Sequence, residues 1–387
     1  MDLVELAGIL SAGEDSTHQF KGDFDSPDQL AAELIAFSNG KGGQIFVGVN
    51  DRGLITGLDD TAINRLNQLI SNVSSNNVRP PINPITNNIV TEKGVVLVIT
   101  VLPGNNRPYQ DNRGRFWVKV GSDKRAETSR EVLQRLFQSS GLIHADEAVV
   151  PQMGVSELDL PYFESFYTKR YGKTVADQPL PLPQLLQNLN LAHDGYMTVS
   201  GALLFCNNTE FALPAFIVKA AAFNGTTIVT DEYLDNRNIS GKLEEMFRQT
   251  VNFVITNLHH VQGKQGINSA GKPEIPREVL EELVANALVH RDYYVSSPVR
   301  VFVFRDRVEI ISPGHLPNNL TVDNIKLGIS NARNPLLTSF AYQLIPYYGY
   351  GSGILRALEK YPNIDFLDDR DSNQFKVVLK REAYRNQ

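Results

Sequence analysis

The 387-residue chain has one cysteine, Cys206, which excludes an intrachain disulfide and suits a reducing compartment. It also lacks a long apolar run. The most apolar window, Pro214 to Phe223, is short and interrupted by Lys219, which excludes a membrane span there. The N-terminus, MDLVELAGILSAGEDS, carries acids where a secretory signal needs basic residues, so a cytoplasmic chain with no membrane partner is expected. There is no basic excess either. A formal net charge of −6 excludes a polycation that coats nucleic acid nonspecifically, and any nucleic-acid site must be a local patch. No internal repeat is present.

The length and the mixture of periodicities predict an α+β chain of more than one domain. Residues 1–138 alternate helix and strand signals. Ser26-Pro27-Asp28 opens a helix with Leu30, Ala31, Leu34 and Ile35 on its buried face, and Asn39-Gly40 stops it. Gln44–Val49 reads as a strand, Thr61–Ser74 as a helix, and Ile85–Thr91 with Val95–Leu102 as a hairpin about Glu92-Lys93-Gly94. Gly114–Val120 is a further strand, and Thr128-Ser-Arg-Glu131 is a capping box for a closing helix. Composition loosens from Ser139 to Asp177, so 139–265 is expected to be a connecting region with short helices and strands, including a buried strand in Ala215–Phe223. A glycine-rich joint, Gly263–Gly271, precedes a C-terminal domain at 266–387.

That domain opens on IPREVLEELVANALVHRDYY, Ile275 to Tyr294. Val279, Leu280, Leu283, Val284, Ala287 and Leu288 recur at helical spacing and predict a core-packed helix. Glu282, Asn286 and His290 fall four residues apart and line a neighbouring face. A carboxylate, a carboxamide and an imidazole on one ridge suit a metal-bound phosphate, and equally a solvated helix face. Two antiparallel strands follow, Val299–Phe304 and Val308–Ile311. Then come the loop Ser312-Pro-Gly-His-Leu-Pro317, a helix at Pro335–Leu344, the glycine run Gly349-Tyr-Gly-Ser-Gly353 opening another helix, and a strand at Phe375–Leu379. Helices against one face of a mixed sheet give a two-layer α/β sandwich.

These elements, in this order, resemble the GHKL ATP-binding fold shared by gyrase, histidine kinases and MutL. More specifically they resemble the divergent copy in RecG-related transcriptional regulators. The resemblance implies ATP and Mg2+ as ligands. In Glu282-Leu-Val-Ala-Asn286-Ala-Leu-Val-His290 it makes Glu282 the catalytic base that orients or deprotonates a water, and Asn286 an oxygen ligand for magnesium. The nucleotide-binding set it implies is Asn286, His290, Ser312, Gly314, Gly349, Gly351 and Gly353, the glycines letting backbone amides approach phosphate. The family's second element is D-x-G-x-G, whose Asp accepts from the adenine amino group. Ser312-Pro313-Gly314-His315-Leu316 stands there instead, without the Asp or the second glycine. The implied domain is therefore degenerate, and at most a weak ATPase. Arg333 is a further phosphate partner by position.

In the first domain, Glu14-Asp-Ser-Thr-His-Gln19-Phe20-Lys21, Ala36-Phe-Ser-Asn39-Gly40-Lys-Gly42-Gly43 and Gly48-Val-Asn-Asp51 together resemble the Schlafen AlbA-type domain. The likeness implies a nucleic-acid-binding module, with DNA favoured over RNA. Some Schlafen relatives use this framework as a metal-dependent ribonuclease with two Glu and one Asp, a pattern mapping to Glu14, position 19 and Asp51. Gln19 contributes no charge there, which favours binding over cleavage. Between Arg107 and Arg135, eight basic residues stand against four acids, with Tyr109, Phe116 and Trp117 interleaved to stack on bases. The expected nucleic-acid contacts are Lys21, Arg107, Arg113, Arg115, Lys119, Lys124 and Arg125, with Arg115, Trp117 and Lys119 on one strand face. The joint reading is a DNA-binding transcriptional regulator with a degenerate ATP-binding domain, acting as a homodimer by class. A Schlafen-like endoribonuclease and a non-catalytic scaffold are the alternatives.

Overall fold

A computed structural model describes residues 1–229, 232–261, 271–317, 320–347 and 351–381. The chain divides into two compact units, Met1–Ile143 and His144–Gln387.

In the first unit, β-branched and aromatic runs form a four-stranded sheet in the order His18–Lys21, Gly43–Val47, Gly94–Val101, Ile85–Thr91. The first pair is parallel, as a crossover helix between its strands demands, and the others are antiparallel. The helix Pro27–Asn39 is that crossover, and it is buried on nearly every side. The helix Asp60–Asn76 packs on it, as does a second sheet in the order Val78–Arg79, Gln110–Asp111, Phe116–Val120, Asp123–Glu127. The last strand, DKRAE, shows no alternating pattern in sequence. It forms because the turn at Gly121-Ser122 folds it back on Phe116–Val120. The helix Arg130–Ser139 begins one residue later than the expected Thr128–Glu131 capping box, at Ser129, whose hydroxyl accepts from the Val132 amide.

The second unit is built on a six-stranded sheet in the order Asp235–Ile239, Val218–Ala222, Val299–Val303, Arg307–Pro313, Gln374–Lys380, Ile364–Asp369. Val218–Ala222 and Val299–Val303 run parallel; every other neighbouring pair is antiparallel. Val299, Val301, Val303, Val308 and Ile310 alternate onto one face. There they pack with the helices Leu243–Thr256, Arg277–Val289 and Pro335–Leu344, which makes two layers.

Residues 139–265 were expected to connect. Two of the sheet's strands come from this segment, because Val218, Ala220 and Ala222 share the core of the C-terminal helices. Within the compositionally loose stretch lies the helix Leu160–Tyr171, which Asp159 caps and Gly172 ends in the left-handed region. Its buried Phe163, Phe166 and Tyr167 carry the helical period. Of the expected glycine-rich joint, residues 263–270 lie outside the described residues.

Candidate functional site

The helix Arg277–Val289 buries Val279, Leu280, Leu283, Val284, Ala287 and Leu288, the stripe its spacing predicts. The adjoining ridge opens onto a cleft lined by separated stretches of the chain. The cleft gathers Glu282, Asn286 and His290 from this helix, and Ser312 and Gly314 from the end of the strand Arg307–Pro313. Gly351 and Gly353 join them from the start of the helix Ser352–Lys360. Gly349 lies outside the described residues. Ile310, Leu320, Ile325, Phe366 and Val377 supply an apolar wall.

The Asn286 amide Nδ2 donates to Glu282 Oε1 and to the Glu282 carbonyl, both at 2.7 Å. Its Oδ1 is thereby turned away from the carboxylate. Burial pushes the Glu282 carboxyl above its ordinary range, and the Asn286 hydrogen bond and the Arg356 charge oppose the rise. Arg356 Nη2 stands 3.7 Å from Glu282 Oε2. A raised carboxyl facing a cleft is the property a general base requires.

His290 shares a 2.7 Å hydrogen bond with the Tyr347 hydroxyl. Burial, then the Arg333 charge, pulls the imidazole down to about 4, so it is neutral at pH 7. Burial beside Glu282 pushes the Tyr347 phenol up to about 12. Ser312 Oγ donates to the Ala287 carbonyl at 3.0 Å, so its proton is committed and its lone pairs remain to accept. In this respect the hydroxyl keeps one property of the missing Asp. Gly314 lies under Arg333; a Cβ there would fall 2.1 Å from the guanidinium Nη1. The Arg333 guanidinium also donates to the His315 carbonyl.

A nucleotide fits this donor set. The apolar wall suits a base, Ser312 offers it an acceptor, and the amides opening Ser352–Lys360 suit phosphate. For magnesium the protein would give one oxygen, Asn286 Oδ1, because no cluster of three His, Cys, Asp or Glu suited to a metal occurs among the described residues. A magnesium ion bound there with a triphosphate would neutralise phosphate charge. Tyr347 and Arg356 were missed in sequence. Tyr347 carries no local signal, and Arg356 is an ordinary helix-surface arginine until Glu282 is seen beside it.

In the first unit the basic residues are largely engaged. Arg113 pairs with Asp28 at 2.9 Å, Arg115 with Asp111 at 2.8 Å, and Lys124 with Glu33 at 2.6 Å. Arg107 Nε donates to the Ser38 carbonyl at 3.0 Å, and burial lowers this guanidinium from its usual range. Trp117 does not present a free stacking face. Its Nε1 donates to Asp111 at 3.0 Å, its ring carries Arg115 at 5.0 Å, and it packs against the core. Lys119 is buried and points at the helix Pro27–Asn39. Lys21 is half-buried, and Arg125 is exposed with no ion pair among the described residues.

The carboxylate pattern of a metal nuclease does not fit here. The Glu14 carboxylate accepts from the Phe20 amide at 2.7 Å and from the Gln19 side chain. Asp51 is exposed in the turn after Gly43–Val47. Glu33, missed in sequence, is the informative acid of this unit: a carboxylate inside the otherwise apolar run LAAELIAF is its signal.

Residues 14–128 match the family described as "Schlafen, AlbA_2", and residues 296–379 match the family described as "Putative ATP-dependent DNA helicase recG C-terminal". The chain thus carries a Schlafen AlbA_2 domain followed by a RecG-related C-terminal domain of the ATPase type. Among solved structures, the DIP2311 protein from Corynebacterium diphtheriae is similar at 21% identity and a TM-score of 0.45, over 98% of this chain and 80% of its own. The N-terminal domain of a "Putative ATP-dependent DNA Helicase RecG-related Protein" from Nitrosomonas europaea is similar at 19% identity and a TM-score of 0.24, over 34% of this chain and 96% of its own. No curated protein matches the chain. Among the described residues, no helix is long and apolar enough to cross a membrane.

Proposed function

We propose that the chain is a nucleic-acid-binding regulator of transcription whose C-terminal cleft binds an adenine nucleotide. The observation that carries this reading is convergence. Glu282, Asn286, His290, Ser312, Gly314, Gly351 and Gly353 come from three separated stretches of sequence, and all face one cleft. The second support is the pairing of a Schlafen AlbA_2 domain with the RecG-related domain in one chain.

In this reading the apolar wall and the Ser312 lone pair take the base. The Asn286 Oδ1 and the N-terminus of Ser352–Lys360 take the phosphate end, and Glu282 orients water. The Arg356 charge and the Asn286 hydrogen bond hold the Glu282 carboxylate in place. Nucleotide regulates the first unit only through unequal affinity for two states of the chain. The first unit binds nucleic acid, DNA before RNA, without cutting it, because Glu14 faces the neutral Gln19. A homodimer reading paired half-sites completes the proposal.

The test is thermal unfolding with ATP and magnesium. Saturation at 100 times Kd adds about 2.7 kcal/mol to a folded state that alone binds ligand. Wild type should show the shift and Asn286→Ala should lose most of it. No shift at millimolar ATP, or the same shift in Asn286→Ala, rejects nucleotide binding at this cleft.

A further inference from the structure

We propose that the polar cluster of the first unit is a cation site occupied by the chain's own Lys119 ammonium, which stands in place of a divalent metal ion. Lys119 Nζ donates to Gln19 Oε1 at 2.5 Å and to the Ser122 carbonyl at 2.6 Å. Glu33 Oε2 lies 3.7 Å away, and the Phe37 ring centroid 4.7 Å away. An ammonium has three N–H donors and no acceptor, and this surround of oxygens and a ring face is what it needs. The Lys119 side chain is 5% exposed and that of Glu33 2%.

Two further observations mark the place as a site and not a chance ion pair. Glu33 Oε2 is buried with no hydrogen-bond partner, although its twin Oε1 takes Lys124. A buried carboxylate oxygen left to Coulomb attraction alone is costly unless a cation stays beside it. Gln19 is also polarised from both sides: its Nε2 meets the Glu14 carboxylate and its Oε1 the Lys119 ammonium. An amide satisfies an anion and a cation at its two ends at once, which a carboxylate cannot do. A Glu at position 19 would set two carboxylates side by side, an arrangement that a metal ion bridges only once the Lys119 ammonium is removed.

Charge gives the same answer. Glu14 and Glu33 are matched by Lys119 and Lys124, and Lys21 adds a third positive charge that acts on Lys119, so the cluster has no excess negative charge for a metal to neutralise. A divalent ion needs oxygens at about 2.0–2.6 Å, and Nζ already fills the space among them. The unit is therefore complete without magnesium or manganese, and it generates no metal-activated water.

Manganese is the probe, titrated into the full-length protein and read from the EPR signal of the free ion, with no nucleic acid present. Wild type is expected to bind none tightly. Lys119→Met combined with Gln19→Glu is expected to gain a site at least about ten-fold tighter than any in wild type, lost again on adding Glu33→Gln. A wild-type manganese site that vanishes in Glu14→Gln overturns the inference, as does a cooperatively melting double variant that gains none. Should the double variant not fold, Gln19→Glu alone decides. It keeps Lys119 and is expected to take up no manganese, and uptake by it overturns the proposal.

Discussion

The Glu282 carboxylate lies against the backbone of Gly353: a Cβ built on that glycine would fall 1.7 Å from Oε1 and 2.4 Å from Oε2. Only a residue without a side chain lets the first turn of Ser352–Lys360 approach the acid this closely. Two elements far apart in sequence are thus fixed to each other at the mouth of the cleft. Gly353→Ala must displace a carboxylate held by Asn286 at 2.7 Å, or push the helix away. Because the atoms in the way are the far end of a flexible side chain, the stability cost is small, and a lost ATP shift at a nearly unchanged melting temperature is expected. A variant with unchanged melting and an unchanged shift would show that the approach is incidental.

Glu282→Gln separates binding from turnover. The amide keeps the size of the side chain and can still accept from Asn286, so the nucleotide-induced melting shift should persist. It cannot take a proton from water, so any ATP hydrolysis should fall about 10²–10⁴-fold, the range general-base catalysis supplies. The measurement is phosphate release under saturating ATP, beside the melting shift. Hydrolysis surviving at the wild-type rate would remove Glu282 from the chemistry and leave only its packing against Gly353.

The predictability of these features follows how local their causes are. The helix Arg277–Val289 and its ridge were readable because burial imposes a period within a dozen residues. The helix Pro335–Leu344 was readable because Pro335 fits its first turn. What escaped depends on contacts across the chain. Lys119 and Trp117 alternate like a solvent face, yet the helix Pro27–Asn39 covers them. The Arg113–Asp28 pair spans 85 positions, and no spacing rule connects them. The basic patch was therefore overcounted, because a sequence tally of charges cannot see which are neutralised from another element.

Two groups that burial shifts should make stability respond to pH with opposite signs. Asp146 is fully buried, and burial pushes its carboxyl up from 3.8 to about 6, against the hydrogen bond from the Leu337 amide. Its folded pKa exceeds the unfolded one, so its contribution is intact below about 3.8 and is lost as pH rises through about 6. His290 is the reverse: with a folded value of about 4 against 6.5, its contribution is intact above 6.5 and is lost as pH falls toward 4. Asp146→Asn should therefore gain on wild type as pH rises from 4 to 7, by on the order of 2 kcal/mol. Chemical denaturation at a series of pH values reads this directly, and a difference that does not vary with pH would mean that Asp146 titrates alike in the folded and unfolded chain.

In the first unit, binding and stability should fall to different basic residues. Lys124 closes a buried pair with Glu33 at 2.6 Å, and removing one partner of such a pair costs about 3–5 kcal/mol. Part of that is recovered here, because Lys119 stays 3.7 Å from the same carboxylate. Lys124→Ala should lower the melting temperature first, and weaken nucleic-acid binding only through the loss of folded protein. Arg125 is exposed and makes no ion pair among the described residues, so Arg125→Ala should leave melting unchanged. If Arg125 meets a phosphate, its removal should reduce the slope of log affinity against log salt by about one. Fluorescence anisotropy with duplex DNA across a salt series, beside melting curves of both variants, separates the two roles. An unaltered slope in Arg125→Ala would place the nucleic-acid contact elsewhere on the unit. A Lys124→Ala protein that melts like wild type would show Lys119 to be a sufficient partner for Glu33.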